Sequence, residues 1–333
     1  MGLWIAAVLA SIVGFSSAAG AAPPLIGAAG VPRDLGATRD YDRIFRALAE
    51  AGVTLFYPIF QYQEAPTAET LGFEVDFIAP CRRDDPAFAA LRRHGVRLIA
   101  PGNLLYQPGA AMPPLSRDPL AALIACAGRD AVYGVLSYDE PAHNGVSAKA
   151  AEAFYRRVKQ VDPTLPVLMV HAPLIIEEGG MAEREVRDAY LAAVAELSQF
   201  ADVIGFSTYP IPPEIAKMGS PFRGEEIVDH RVAAQEYVAW LRAAAPGKRY
   251  MAVLQSFSYA DQFSPELLAV VAPPEVRDMV HPPSARELEE MATISVDGGA
   301  DLIVWYGAGF SDRAAAQGWR DVLAVSRRLG AKR

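Results

Sequence analysis

Eight times along the chain, a short run rich in Val, Ile, Leu, Phe and Tyr gives way to a run whose apolar residues recur at helical spacing. The strand-like runs fall at 25–28, 54–59, 97–101, 132–138, 166–171, 202–209, 249–257 and 301–306. None alternates strictly with polar residues, which is the pattern of parallel strands covered on both faces. The helical runs fall at 40–51, 85–94, 118–127, 147–161, 187–200, 230–245, 284–298 and 314–329. In the first of these, Tyr41, Ile44, Phe45 and Leu48 share one face. Ser147 stands at an N-cap position, and Gly52, Gly95 and Gly298-Gly299 close helices ahead of strands. Strict strand–helix alternation demands a parallel sheet, and eight units predict a single (β/α)8 TIM barrel. An open doubly wound sheet is the competing arrangement. The lack of a G-x-G-x-x-G after the first strand weighs against its dinucleotide-binding form. The chain is longer than the roughly 250 residues usual for such a barrel. Its surplus falls at 60–80, 102–116, 172–186, 210–229 and 258–283, always after a strand.

Composition narrows the function classes. Hydrophobic residues at 52% and charged residues at 21% allow a large core and exclude a disordered chain. With 31 basic against 39 acidic residues the net charge is −8, the wrong sign for a nucleic-acid surface. Two cysteines make neither a disulfide scaffold nor a Cys-rich zinc site. The barrel puts Cys81 and Cys126 at opposite ends of their units, so two separate thiols are expected. The five histidines (His94, His143, His171, His230, His281) show no HxxxH or HExxH spacing. No cofactor is expected, and a carboxylate-held calcium is the one metal option left open. Residues 3–15 are apolar and are followed by small residues through Ala22, with Ala19-Gly20-Ala21 and Gly20-Ala21-Ala22 as small-x-small cleavage sites. Residues 1–22 therefore read as a secretory signal and 23–333 as the barrel, exported to the periplasm or beyond the cell. An uncleaved N-terminal anchor is the alternative, since no Lys or Arg precedes Arg33. The apolar run falls short of the about 20 residues a span needs.

Chemistry in a barrel gathers at the C-terminal ends of the strands. There the sequence offers Tyr57, Asn103, Tyr138-Asp139-Glu140-Pro141, His171, Tyr209, Gln255 and Trp305-Tyr306. Asp139 and Glu140 are the strongest item. Crowded carboxylates raise at least one pKa, which lets an acid stay protonated near neutrality and donate a proton. Acidic residues also suit the first turn of a helix, which is the structural alternative. Tyr57, Tyr138, Tyr209, Trp305 and Tyr306 predict an aromatic rim. Aromatic rings stack on the C–H faces of a sugar while Asn103, Gln255 and carboxylates bind its hydroxyls. Core packing is the competing role for each ring, and a structural role competes for His171. Glu64 is a weaker second carboxylate, on a loop that could fold over the mouth.

Tyr138-Asp139-Glu140-Pro141 resembles the Asn-Glu-Pro that ends strand four in retaining glycoside hydrolases with (β/α)8 barrels. The segment 201–210, ending Ser207-Thr208-Tyr209-Pro210, resembles their strand six, and 248–257 resembles their strand seven. In particular the chain resembles a group of exported bacterial glycoside-hydrolase-like proteins with an Asp-Glu-Pro motif and a Leu-Gln-x-Phe strand seven. The resemblance implies a carbohydrate substrate, Glu140 as general acid, Tyr209 beside the catalytic centre and Trp305 as a sugar platform. One departure matters. The retaining enzymes place a nucleophilic Glu where Gln255 stands, and an amide cannot form the glycosyl ester. This leaves inversion, with Glu140 as acid and a loop carboxylate such as Glu64 as base. It also leaves substrate assistance, with Asp139 orienting the sugar's acetamido group, or a non-catalytic carbohydrate-binding barrel. A lyase or metal-dependent hydrolase is disfavoured by the absence of His-x-His after strand one and of a strand-end Lys.

Overall fold

The computed structural model describes residues 23–59, 76–78, 81–107, 109–176, 182–277, 280–310, 313 and 316–331. The segments 1–22, read as a signal, and 60–75, which holds Gln61 and Glu64, lie outside them. Eight parallel strands close into one barrel in sequence order. They are β1 (Leu25–Ala29), β2 (Leu55–Tyr57), β3 (Arg97–Pro101), β4 (Val132–Leu136), β5 (Val167–His171), β6 (Val203–Thr208), β7 (Arg249–Gln255) and β8 (Leu302–Tyr306). Closure is made by β1 on β8, where Ala29 faces Tyr306.

Helices surround the strands, and their starts follow side-chain capping chemistry. Asp40 accepts from the Arg43 amide at 3.1 Å, and Asp118 accepts from those of Leu120 and Ala121. Ser284 and Glu287 form a reciprocal capping box. Each cap satisfies amides that a helix start leaves unpaired.

Strand periodicity divides the apolar residues into two layers. Leu55, Ile99, Leu168, Met251, Val253 and Val304 face into the barrel. Phe56, Met169, Phe206, Leu254, Ile303 and Trp305 face the helices. One irregularity shifts this alternation. Leu98 pairs with Val132 but Ile99 pairs with Gly134, so Tyr133 is an extra residue in β4. Inward positions on β4 are then Tyr133 and Leu136, three apart.

Cys81 and Cys126 are joined by a disulfide, with Cα atoms 6.0 Å apart. This corrects the expectation of two thiols. The segment entering helix Pro86–His94 does not stay at the barrel mouth. The Arg92 guanidinium donates to the carbonyls of both Arg83 and Ala127, tying that segment to the end of helix Pro119–Ala127. Among the described residues, no helix is long and apolar enough to cross a membrane.

Candidate active site

A cavity of about 320 Å³ opens at the C-terminal end of the strands, a size suited to a small ligand. Tyr57, Asp139, Glu140, Tyr209 and Tyr306 line it, together with His143 and Ser207. The position of Glu140 follows from the turn after β4. Its φ is +38°, a left-handed conformation that is unfavourable for a non-glycine residue. Such strain persists only where the surroundings hold it, and it concentrates at functional sites. Here the Asn144 amide donates to the Glu140 carbonyl at 3.0 Å, and the Asn144 side chain donates to the Asp139 carbonyl at 2.8 Å.

The Glu140 carboxylate accepts a hydrogen bond from Ser207 Oγ at 2.8 Å. Burial raises its pKa above the ordinary glutamate value, and the neighbouring Asp139 charge adds to this. The Ser207 bond and His143 oppose the shift without reversing it. Asp139 is also raised, by burial, with His143 opposing. It keeps an exposed face at the rim, where water screens the effect, so the direction at Glu140 is the firmer of the two. A carboxyl raised by burial and a like charge is suited to proton donation.

Neighbouring loops fix the wall. The loops after β5 and β6 pair with each other through Ile176 N to Lys217 O at 2.8 Å and Gly219 N to Leu174 O at 2.7 Å. Buried Tyr237 locks this join, accepting from Leu174 N and donating to Gly219 O. Tyr209 and Tyr306 stack at 5.2 Å between ring centroids, making one aromatic face of the mouth. Burial and the nearby Tyr306 keep the Tyr209 hydroxyl protonated.

Five of the expected site residues lie elsewhere, Asn103 among them. Trp305 is fully buried on the helix-facing side of β8, where its Nε1 donates to Ser326 Oγ at 2.9 Å. It is not a platform in the cavity. His171 is likewise outward on β5, in hydrogen-bond contact with Ser198 Oγ at 3.1 Å, and burial pushes its pKa down to about 3. It is a neutral structural histidine. Tyr138 packs edge-on against Phe154 of helix Ala148–Val161. It borders a second, more open groove that Asn103, Asp139 and Asn144 also line. Gln255 is fully buried and absent from the cavity wall. Its Oε1 accepts from Ile211 N at 2.9 Å, and its Nε2 donates to the carbonyls of Ile211 and Phe257. This amide clamps the loop after β6 to β7.

Ser207, His143 and Gln262 are polar cavity residues outside the expected site set. Strand parity is the signal for Ser207, since it stands two residues before Tyr209. His143 lies three residues after Glu140 in the same turn. Among the described residues, Asp139 and Glu140 are the carboxylates lining the cavity, and no group of three or more His, Cys, Asp or Glu is arranged to hold a metal.

No protein-family model matches the sequence, and no curated protein is similar to it at a significant level. Solved structures do match in fold. An assigned α-L-fucosidase from Bacteroides thetaiotaomicron aligns over 93% of this chain and 96% of its own, with a TM-score of 0.54 and 9% identity. A β-galactosidase from the psychrophilic Marinomonas ef1 aligns over 92% of this chain, with a TM-score of 0.56 and 9% identity; the alignment spans 59% of that enzyme. A β-galactosidase from the haloarchaeon Halorubrum lacusprofundi aligns over 92% of this chain and 58% of its own, with a TM-score of 0.50 and 12% identity. These neighbours are glycoside hydrolases, and at such identities the likeness is one of fold.

Proposed function

We propose that this is an exported glycoside hydrolase in which Glu140 is the general acid and Asp139 its partner. The observation that carries the reading is a half-buried carboxyl of raised pKa, hydrogen-bonded to Ser207, in the wall of the mouth where barrel enzymes keep their chemistry. In the reaction the glycosidic C–O bond breaks and the Glu140 proton passes to the departing oxygen. Water supplies the hydroxyl at the anomeric carbon, and the proton it releases restores Glu140 through solvent. Two routes remain once Gln255 is excluded as a nucleophile. In substrate assistance Asp139 orients a substrate acetamido group that attacks first; in inversion a loop carboxylate activates water on the opposite face of the sugar. Glu64 is the proposed base for the inverting route. The disulfide supports export, since such bonds persist in oxidising compartments.

A second reading is a carbohydrate-binding barrel without turnover. It is favoured by Gln255, whose amide serves the fold where retaining enzymes keep a nucleophile. A panel of aryl glycosides and polysaccharides, assayed for hydrolysis and for binding, separates the two. The proposal expects turnover that Glu140→Gln lowers by about 10²-fold or more, with binding kept. Binding without turnover in the wild-type chain would favour the second reading.

A further inference from the structure

The cavity beside Glu140 changes character with depth. Its polar groups are Asp139, Glu140, His143, Ser207 and Gln262, with the tyrosines of the rim, all carried at or beyond the C-terminal ends of the strands. Its depth lies inside the barrel, where Ile99, Leu168, Val170, Met251, Val253 and Val304 are the inward-facing residues. The strand amides and carbonyls there are engaged in the parallel ladders. Ala29, the inward residue at the end of β1, lines this space with a single methyl group.

A sugar ring cannot use such a floor. Each hydroxyl buried there without a partner costs about 1–3 kcal/mol. An apolar group gains instead, at about 0.8 kcal/mol for each buried CH₂. The space of about 320 Å³ is roughly twice the ~150 Å³ apolar cavity that accepts one benzene ring. Asp139 also borders the more open groove with Asn103, Asn144 and Ser147, whose amide and hydroxyl groups suit a polyhydroxyl ligand. Asp139 lines both spaces.

We propose that the substrate is an amphiphilic glycoside, whose sugar lies in the Asn103–Asn144 groove and whose apolar aglycone enters the barrel cavity. The scissile oxygen then sits at the neck beside Glu140. This rests on the hydrolytic reading of the site and specifies the substrate class for it.

The test pairs binding with turnover, using the purified full chain. 1-Octanol and myo-inositol are titrated calorimetrically, one an apolar chain and the other a ring of hydroxyls. The proposal expects 1-octanol to bind at least about tenfold more tightly than myo-inositol. Ala29→Leu and Val304→Phe, which narrow the cavity, should each weaken 1-octanol by a similar factor and leave the thermal midpoint near that of wild type. Two variants guard against one that fails to fold. Equal binding of the two probes, or octanol binding untouched in both folded variants, would overturn the proposal. For turnover, n-octyl and methyl glycosides of the same sugar are compared, because their leaving groups are alike. A kcat/KM at least about tenfold higher for the octyl compound is expected. Equal values would overturn the apolar-aglycone assignment and leave hydrolysis standing. Octanol binding with no hydrolysis of any octyl glycoside would overturn the hydrolytic reading, and the aglycone role with it.

Discussion

At the scale of single residues, Glu140 is held in an unfavourable backbone conformation and in surroundings that disfavour its charge. Both features cost stability. The pKa of its carboxyl is higher in the folded chain than in the unfolded one, so the folded state binds more protons between the two values. Stability from this group is therefore present at low pH and is lost as pH rises through the folded pKa. Glu140→Gln removes the charge, and its amide oxygen can still accept from Ser207. The variant should melt at a higher temperature than wild type at pH 7, with the difference shrinking as pH falls into the carboxylate range. Thermal melts at both pH values check this, and an equal difference at each would contradict it. His171 has the opposite sign. Burial lowers its pKa, so it stays neutral in the fold and its contribution erodes only as pH drops below the usual histidine range toward about 3.

At the scale of elements, the alternation of strands and helices was plain in the sequence, because buried parallel strands and amphipathic helices leave different spacings. The Asp139-Glu140 turn was legible too, since two carboxylates after an apolar strand are costly without a reason. Which side of each strand a residue faces was less legible. Trp305 and His171 end apolar runs at the mouth, but they share parity with Ile303 and Met169 on the helix side. In runs apolar on both faces, hydrophobicity does not mark the inward side. Tyr133 hides a further step, as an extra residue in β4 that only pairing reveals. Gln255 has inward parity and was read as lining a sugar subsite, yet the loop after β6 folds onto it and takes up its amide. Gln255→Glu should therefore not create a nucleophile. It would replace a donor facing two carbonyl oxygens with a carboxylate, in a fully buried position. The expected loss is about 3–5 kcal/mol, read from the shift in urea midpoint. A variant as stable as wild type that gained retaining activity would contradict the clamp.

At the scale of the whole molecule, one covalent link joins the second and third helical units. The Cys81–Cys126 bond spans 45 residues. In the chain-entropy account a loop of that length is worth about 4 kcal/mol. Thermal melting with and without a thiol reductant should show a clear drop on reduction, and unchanged melting would mean that the link adds nothing to the barrel. The barrel in turn brings a turn after β4 and a serine on β6 to one point, and the account rests on what the carboxyl at that point does. The most direct measurement is the leaving-group dependence of kcat/KM for wild type and Glu140→Gln. If Glu140 gives its proton to the departing oxygen, the variant loses about 10²–10⁴-fold on alkyl glycosides, which need that proton. On dinitrophenyl glycosides, whose leaving group departs unprotonated, it should lose far less. Equal losses on both substrates, or no loss on either, would contradict the assignment.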